Sequence, residues 1–295
     1  MAATTTSRSR SSTALTPRVY RARRTLGKVL WYVVLTALGI LFALPFFWML
    51  SSSLKVEADI WIYPPKWFPD PVLWENYPKA LELMNFPRLL FNTLFLVIVG
   101  TFGIVLSSSW VVYGFSRFRF KGRDALFVVL ISTLMLPSQV TLVPLYIMYK
   151  ELGWLNTYLP LLVPAYFGSA FYIFLLRQFF LTIPTELDDA AKIDGCGYIG
   201  IWWRILLPLC KPALVTVIVF SVIFGWNDFL WPLIVLNDAQ LFNLSLGLAT
   251  FRGLYNTQWG YLMAASVVVL LPCLVLYFVA QRFIVEGIAL TGLKG

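Results

Sequence analysis

Residues 89–113 read LLFNTLFLVIVGTFGIVLSSSWVVY, without one Asp, Glu, Lys or Arg. An α-helix needs about 20 apolar residues to cross roughly 30 Å of hydrocarbon, and this run is long enough. Five other blocks of the same kind flank it, at 29–50, 125–149, 158–180, 213–235 and 260–283. The blocks are continuous rather than alternating, which excludes the ten-residue strands of a membrane barrel. The sequence therefore predicts an all-α, polytopic membrane protein with about six transmembrane helices. Pro137 and Pro144 interrupt the third block, Pro232 the fifth and Pro272 the sixth. Pro232 and Pro272 read as kinks, because neighbouring helices can satisfy the carbonyls that a proline frees.

Composition agrees with this reading. Only 13% of the 295 residues are charged and 59% are hydrophobic, whereas about a quarter of a soluble domain is charged. The net charge of +9 raises the question of nucleic acid, and its distribution answers it. With the amino terminus in the cytoplasm, seventeen Lys and Arg fall in inside segments and six in outside segments. That asymmetry obeys the positive-inside rule and places both termini in the cytoplasm, so no nucleic acid is needed to explain it. The chain has no histidine, and Cys196, Cys210 and Cys273 do not form a ligand pattern, so no metal is expected. Nor is there a Gly-x-x-x-x-Gly-Lys-Ser/Thr phosphate cradle, so the chain is not expected to hydrolyse ATP.

Residues 1–27 are rich in Ser, Thr and Arg, have no acidic residue, and read as a disordered cytoplasmic tail. The remaining residues, 28–295, form one membrane domain. Its first outside segment, 51–88, carries six prolines among Trp61, Trp67 and Trp74 and is expected at the membrane interface. The outside segment at 237–259 is long enough to reach a partner.

The cytoplasmic loop at 184–212 carries the sharpest local pattern. PTELDDAAKIDG, from Pro184 to Gly195, is a short helix with a start and a stop. Thr185 can cap it, Glu186, Asp188 and Asp189 favour its first turn, and Asp188 holds the third position of a capping box. Gly195 ends it. Leu187, Ala190 and Ala191 share one face, where the alanines allow close approach of another surface. A second short helix at about 198–206 stops before Pro208.

Asp189-Ala190-Ala191, three residues, Gly195, nine residues and Ile205-Leu206-Leu207-Pro208 together resemble the cytoplasmic loop signature of ABC importer permeases. Asp189 stands where that family usually has Glu. Pro45-Phe46-Phe47-Trp48-Met49, Tyr63-Pro64-Pro65-Lys66, Trp226-Asn227-Asp228-Phe229-Leu230-Trp231-Pro232 and the ending through Gly292-Leu293-Lys294-Gly295 are similar to the maltose-type carbohydrate permeases, specifically their shorter subunit. The resemblance covers nearly everything from residue 28 onward.

It implies a type I ABC importer transmembrane domain in a bacterial cytoplasmic membrane. It implies four partners: a second, non-identical permease, an ATPase dimer, an extracytoplasmic solute-binding protein and a sugar substrate. ATP and Mg would be bound by the ATPase, leaving this chain without a cofactor. Glu186, Leu187, Asp188, Asp189, Ala190, Ala191, Asp194, Gly195, Ile205, Leu207 and Pro208 would form the ATPase-coupling loop, and Gly292, Lys294 and Gly295 would reach the ATPase interface.

Trp226, Asn227 and Asp228 fall within the fifth block, where an ionisable side chain is costly and is by default a functional candidate. They read equally as substrate contacts or as interhelical glue. Gln139, beside Pro137, is a weaker candidate for the same path. An ATP-independent transporter or channel is the competing function, with a membrane scaffold as a third.

Overall fold

The computed structural model of the chain describes residues 17–253 and 257–292. The helices run in the order α1 (Pro17–Ser53), α2 (Glu57–Ile60), α3 (Asn76–Leu83), α4 (Phe86–Arg117), α5 (Arg123–Ser132) and α6 (Ser138–Glu151). Next come α7 (Leu159–Leu162), α8 (Ala170–Phe180), α9 (Glu186–Ile193), α10 (Tyr198–Ile201) and α11 (Leu207–Leu209). The chain closes with α12 (Lys211–Trp226), α13 (Leu230–Val235), α14 (Leu244–Ala249) and α15 (Trp259–Gly292). The one β feature among the described residues is an isolated bridge between Arg252 and Thr257.

Four helical segments are each long and apolar enough to span a bilayer: Gly27–Ser53, Phe86–Arg117, Leu159–Phe180 and Trp259–Gln281. Two further apolar pairs are sharply bent, Arg123–Met135 with Ser138–Glu151 at 97° and Tyr198–Leu209 with Lys211–Trp226 at 82°. Counting each pair as one span gives up to six, the number the hydropathy blocks predict. The second pair, however, starts at Tyr198 in the expected loop and ends at Trp226 rather than running over 213–235.

The bends are larger than kinks. At Pro137 both the proline and the preceding Leu136 are extended, with ψ of 134° and 117°, so the third block becomes two helices. A proline disfavours helical backbone in the residue before it, and Leu136 is extended accordingly. Pro144, by contrast, sits inside α6 and Pro272 inside α15. The fifth block also breaks: α12 stops at Trp226 and α13 resumes at Leu230. Pro232 is harmless there, because the first turn of a helix has no partners for its N–H groups.

The first helix starts at Pro17, inside the segment expected to be a tail, while residues 1–16 lie outside the described residues. Proline suits a helix start, and Arg18, Arg21, Arg23 and Arg24 are good helix formers, so the helix extends beyond its apolar stretch.

Helix α4 packs against α8 and α12, and α1 against α15. Val112 and Tyr113 of α4 join Leu176 and Phe180 of α8, Ala191 of α9 and Val217 of α12 in one buried cluster at the α9 end of the bundle. Many large apolar side chains point outward instead, such as Trp31, Phe42, Phe91 and Phe278. Hydrocarbon, unlike water, imposes no penalty on such a surface.

Segment 51–88 is less superficial than its tryptophans suggest. Lys55 is 1% exposed, with its Nζ donating to the Lys66 carbonyl and lying 4.0 Å over the Trp48 ring. Asn76 donates to the carbonyls of Ser53 and Lys55 at 2.9 and 3.1 Å. Glu57 reaches across the fold to cap α15, accepting from the N–H groups of Trp259 and Gly260 at 2.9 Å each. A carboxylate at a helix N-terminus satisfies orphan donors and opposes the helix dipole. Glu57→Ala is therefore expected to cost about 1 kcal/mol of stability, measurable as a lower thermal midpoint of the purified protein in detergent. An unchanged midpoint would mean that the cap is dispensable.

Candidate functional site

The loop between α8 and α12 contains α9, whose two ends differ in how they are made. Thr185 has helical backbone angles and makes no side-chain cap, contrary to expectation. Asp188 does not reach back as in a capping box either. Its Oδ2 lies 2.9 Å from Nε of Arg117, at the end of α4, and the two side chains are 9% and 5% exposed. Arg117 also donates from Nη2 to the Ile183 carbonyl at 3.1 Å. A carboxylate this deeply buried demands an opposite charge, which outweighs the modest gain of a cap. Burial pushes the Asp188 carboxyl above its ordinary range while Arg117 pulls it down, and Oδ1 faces no donor.

The other end follows expectation. Gly195 has φ of +79°, and the N–H groups of Gly195 and Cys196 donate to the carbonyls of Lys192 and Ala191 at 3.0 and 2.8 Å. This is a Schellman stop, and its left-handed residue is the position where glycine is needed.

The expected shared face of Leu187, Ala190 and Ala191 divides. Ala191 turns inward with Asp188, whereas Leu187 and Ala190 point outward. Ile193, one further step of three along the helix, completes the outward face at 87% exposed. Glu186, Asp189 and Asp194 are exposed around it, and Asp189 holds Lys192 at 2.9 Å. Ile193 escaped the sequence reading, although its spacing from Leu187 and Ala190 was the available signal.

The second half of the loop is α10, a π-helical turn from Trp202 to Leu206, and α11. Trp202 turns inward and meets Trp110 edge-on at 5.0 Å, while Trp203 is exposed. Ile205 and Leu207 are half-buried against the cluster beside α9, Leu206 is fully buried and Pro208 is exposed. Ile205 and Leu207 thus anchor the loop to the bundle and are not part of its outward face. At the chain end, the backbone of Gly292 closes α15, and Lys294 and Gly295 lie outside the described residues.

The second feature is a cavity of about 620 Å³ between α4, α8 and the break from α12 to α13. Asn227 and Asp228 both line it, with Tyr172, Ser221, Trp231 and Asn243. Side chains bond the backbone carbonyls around the break, among them that of Ile223, which also accepts from the Asn227 N–H at 3.2 Å. Asn227 Nδ2 donates to the Ile223 carbonyl at 2.8 Å, and Ser245 Oγ to the Trp226 carbonyl at 3.0 Å. Buried Asn243 donates to the Asp228 carbonyl at 2.6 Å, and its Oδ1 accepts from the Leu246 N–H at 3.0 Å, starting α14. Deeper in, Thr101 Oγ1 lies 2.9 Å from Ser221 Oγ.

Two expected path residues are elsewhere. Trp226 is 5% exposed and faces α15, where its Nε1 donates to the Val269 carbonyl at 3.2 Å. Gln139 is exposed on α6 and does not line the cavity. Asn243 was not foreseen, because its partner Asp228 lies in the break and the capping role shows only once α14 is placed. The cavity is lined by one carboxylate, two carboxamides, hydroxyls and aromatic rings, and by no Lys or Arg.

Residues 100–289 match the family described as binding-protein-dependent transport system inner membrane component. The chain is 35% identical over 275 residues to the probable ABC transporter permease YurM of Bacillus subtilis, covering 92% of this chain and 90% of that one. It is 32% identical over 262 residues to the arabinooligosaccharide transport permease AraQ of the same organism, covering 88% and 92%. Its fold matches a bacterial ABC transporter that imports the acidic polysaccharide alginate, with a TM-score of 0.78 at 22% identity, covering 89% of this chain and 97% of that one. With up to six apolar segments, a cavity lined by α4, α8, α12 and α13, and this match over most of its length, the chain belongs to the binding-protein-dependent inner-membrane components and is a permease subunit of an ABC transporter.

Proposed function

We propose that this permease imports an uncharged sugar or oligosaccharide. The observation that carries the reading is the cavity, where one carboxylate, Asp228, and the carboxamides of Asn227 and Asn243 sit among Tyr172, Phe229 and Trp231 without a cation. Hydroxyl-rich solutes suit amide and carboxylate acceptors, and aromatic faces suit the apolar side of a sugar ring. An anionic cargo would meet Asp228 with nothing on this subunit to compensate its charge. In this respect the cavity suits neutral arabinooligosaccharides, the cargo named for AraQ, better than the acidic polysaccharide of the fold neighbour.

A second, non-identical permease completes the path, and an extracytoplasmic binding protein delivers the sugar. A separate ATPase dimer binds ATP and Mg and supplies the energy, so this chain needs no cofactor of its own. Both termini lie in the cytoplasm, and Gly292, Lys294 and Gly295 contact the ATPase. Leu187, Ala190 and Ile193, ringed by Glu186, Asp189 and Asp194, enter a groove on that ATPase. An apolar helix face with a charged surround is the usual form of helix-in-groove recognition.

Ile193→Glu tests this reading, because it places a charge where the apolar face is most exposed. Co-expression with a candidate second permease and ATPase is expected to yield an ATPase that co-purifies with the unaltered chain, and at least about tenfold less with the variant, equivalent to about 1.4 kcal/mol. Equal recovery of ATPase with both chains would remove α9 from the interface.

A further inference from the structure

We propose that Arg117 is a positioning residue that clamps α9 to α4 and makes α4 the lever carrying ATPase motion to the cavity and to the outer segment at 240–244. The proposal rests on the reading of α9 as the helix that meets the ATPase.

One guanidinium grips the loop on both sides of Pro184. Its Nη2 donates to the Ile183 carbonyl at 3.1 Å, and its Nε lies 2.9 Å from Oδ2 of Asp188 of α9, an ion pair without hydrogen-bond alignment. Apolar packing of Ala191 in the neighbouring cluster adds contact, but such packing is non-directional and allows sliding. A buried ion pair is weak evidence for stability, and its best-attested use is to fix a register. Here the fixed register is that of α9 against the end of α4.

What α4 does beyond that end gives the clamp its consequence. The helix is unbroken for 32 residues, a rod of roughly 48 Å at about 1.5 Å per residue. Its middle lines the cavity with Val97, Thr101 and Ile104. Near its outer end Asn92 donates to the carbonyls of Gln240 and Phe242 at 2.8 Å each, and Thr93 Oγ1 accepts from the Leu244 N–H at 2.8 Å. The other route from the loop to the cavity, through α12, first turns by 82° and then ends at Trp226. Among the described helices that line the cavity, α4 alone joins the loop, the cavity and the outer segment in one rigid body. Displacement of α9 then moves all three together, as rigid-body motion of packed helices requires.

The test uses the complex of this chain with its second permease and ATPase, in a background with all three native cysteines replaced. Spin labels go on Lys192→Cys of α9 and on Phe102→Cys, an exposed position of α4 outside the cavity. Distances are measured with and without ATP and Mg. In the labelled parent the distance distribution is expected to be narrow and unchanged by nucleotide. In Asp188→Asn, which keeps the shape and removes the charge, it is expected to widen and to shift with nucleotide while ATP hydrolysis continues. Arg117→Gln gives the same expected result from the other side of the pair. A distance in the parent that changes with nucleotide would overturn the proposal whether or not either variant folds. So would a narrow, nucleotide-independent distribution in Asp188→Asn. Equal recovery of the ATPase with Ile193→Glu and with the unaltered chain would refute the reading of α9 itself, and that outcome is seen before any distance is measured.

Discussion

Gly195→Pro is expected to leave the chain inserted in the membrane and to abolish ATP-dependent uptake by the assembled transporter. The reason is local. Gly195 has φ of +79°, whereas proline is locked near −65°, and the substitution also removes the N–H that donates to Lys192 at 3.0 Å. The Schellman stop cannot form, so the last turn of α9 and the path into α10 must change together. A proline misplaced against its required backbone costs about 3 kcal/mol, and the outward residues nearest the damage are Ile193 and Asp194. The six apolar segments are untouched, so insertion is expected to survive. The measurement is uptake into whole cells beside the amount of protein in the membrane fraction. Gly195→Ala, which pays roughly 1–2 kcal/mol for the left-handed conformation but keeps the N–H, is expected to fall between the two. Full uptake by the proline variant at normal protein levels would show that the position of α9 does not matter.

Asp228→Ala is expected to weaken transport by roughly thirtyfold in apparent affinity, the equivalent of about 2 kcal/mol for a lost hydrogen bond to a charged group. Asp228 lines the cavity, and what ties it to Asn243 is its backbone carbonyl, which alanine retains. The Asn243 tie across the break between α12 and α13 should therefore persist in the variant, whereas the contact of the carboxylate with the Trp231 N–H at the start of α13 is lost. Uptake at several substrate concentrations, measured beside co-purification of the complex, separates the possibilities. If assembly falls in step with uptake, Asp228 holds helices together and does not contact cargo. If neither changes, recognition lies on the partner permease. Asp228→Asn adds the test of charge: it keeps an acceptor, and is expected to retain more uptake than alanine while opposing anionic oligosaccharides less.

Much of the architecture is legible without coordinates because the bilayer acts as a strict solvent. A backbone crossing hydrocarbon must satisfy its own hydrogen bonds, so an apolar run such as 89–113 has little choice but to be helical. The short helix at 186–193 is legible for a different reason: its stop depends on one residue, Gly195, whose backbone freedom is intrinsic. Asn227 and Asp228 stood out because polar side chains within an apolar block need a reason to be there.

The readings that failed all depend on partners distant in the chain. Thr185 and Asp188 form a plausible cap taken alone, but Arg117 claims Asp188. Trp226 belongs by sequence with Asn227 and Asp228, yet the carbonyl that receives its indole N–H is that of Val269. Whether Pro137 kinks or breaks its helix depends on the packing around it, and the 97° bend could not be foreseen from the proline alone.

The sequence by itself determined that the chain is helical and membrane-embedded, where most of its apolar segments lie and where α9 stops, because each follows from the transfer cost of residues or from the backbone limits of one residue. Tertiary structure decided which side chains face the cavity, which face of α9 points outward and which buried charge meets which. Those outcomes turn on the desolvation of particular groups. A buried carboxylate or indole takes whichever partner the fold brings within hydrogen-bonding distance, and that distance is a property of the assembled bundle.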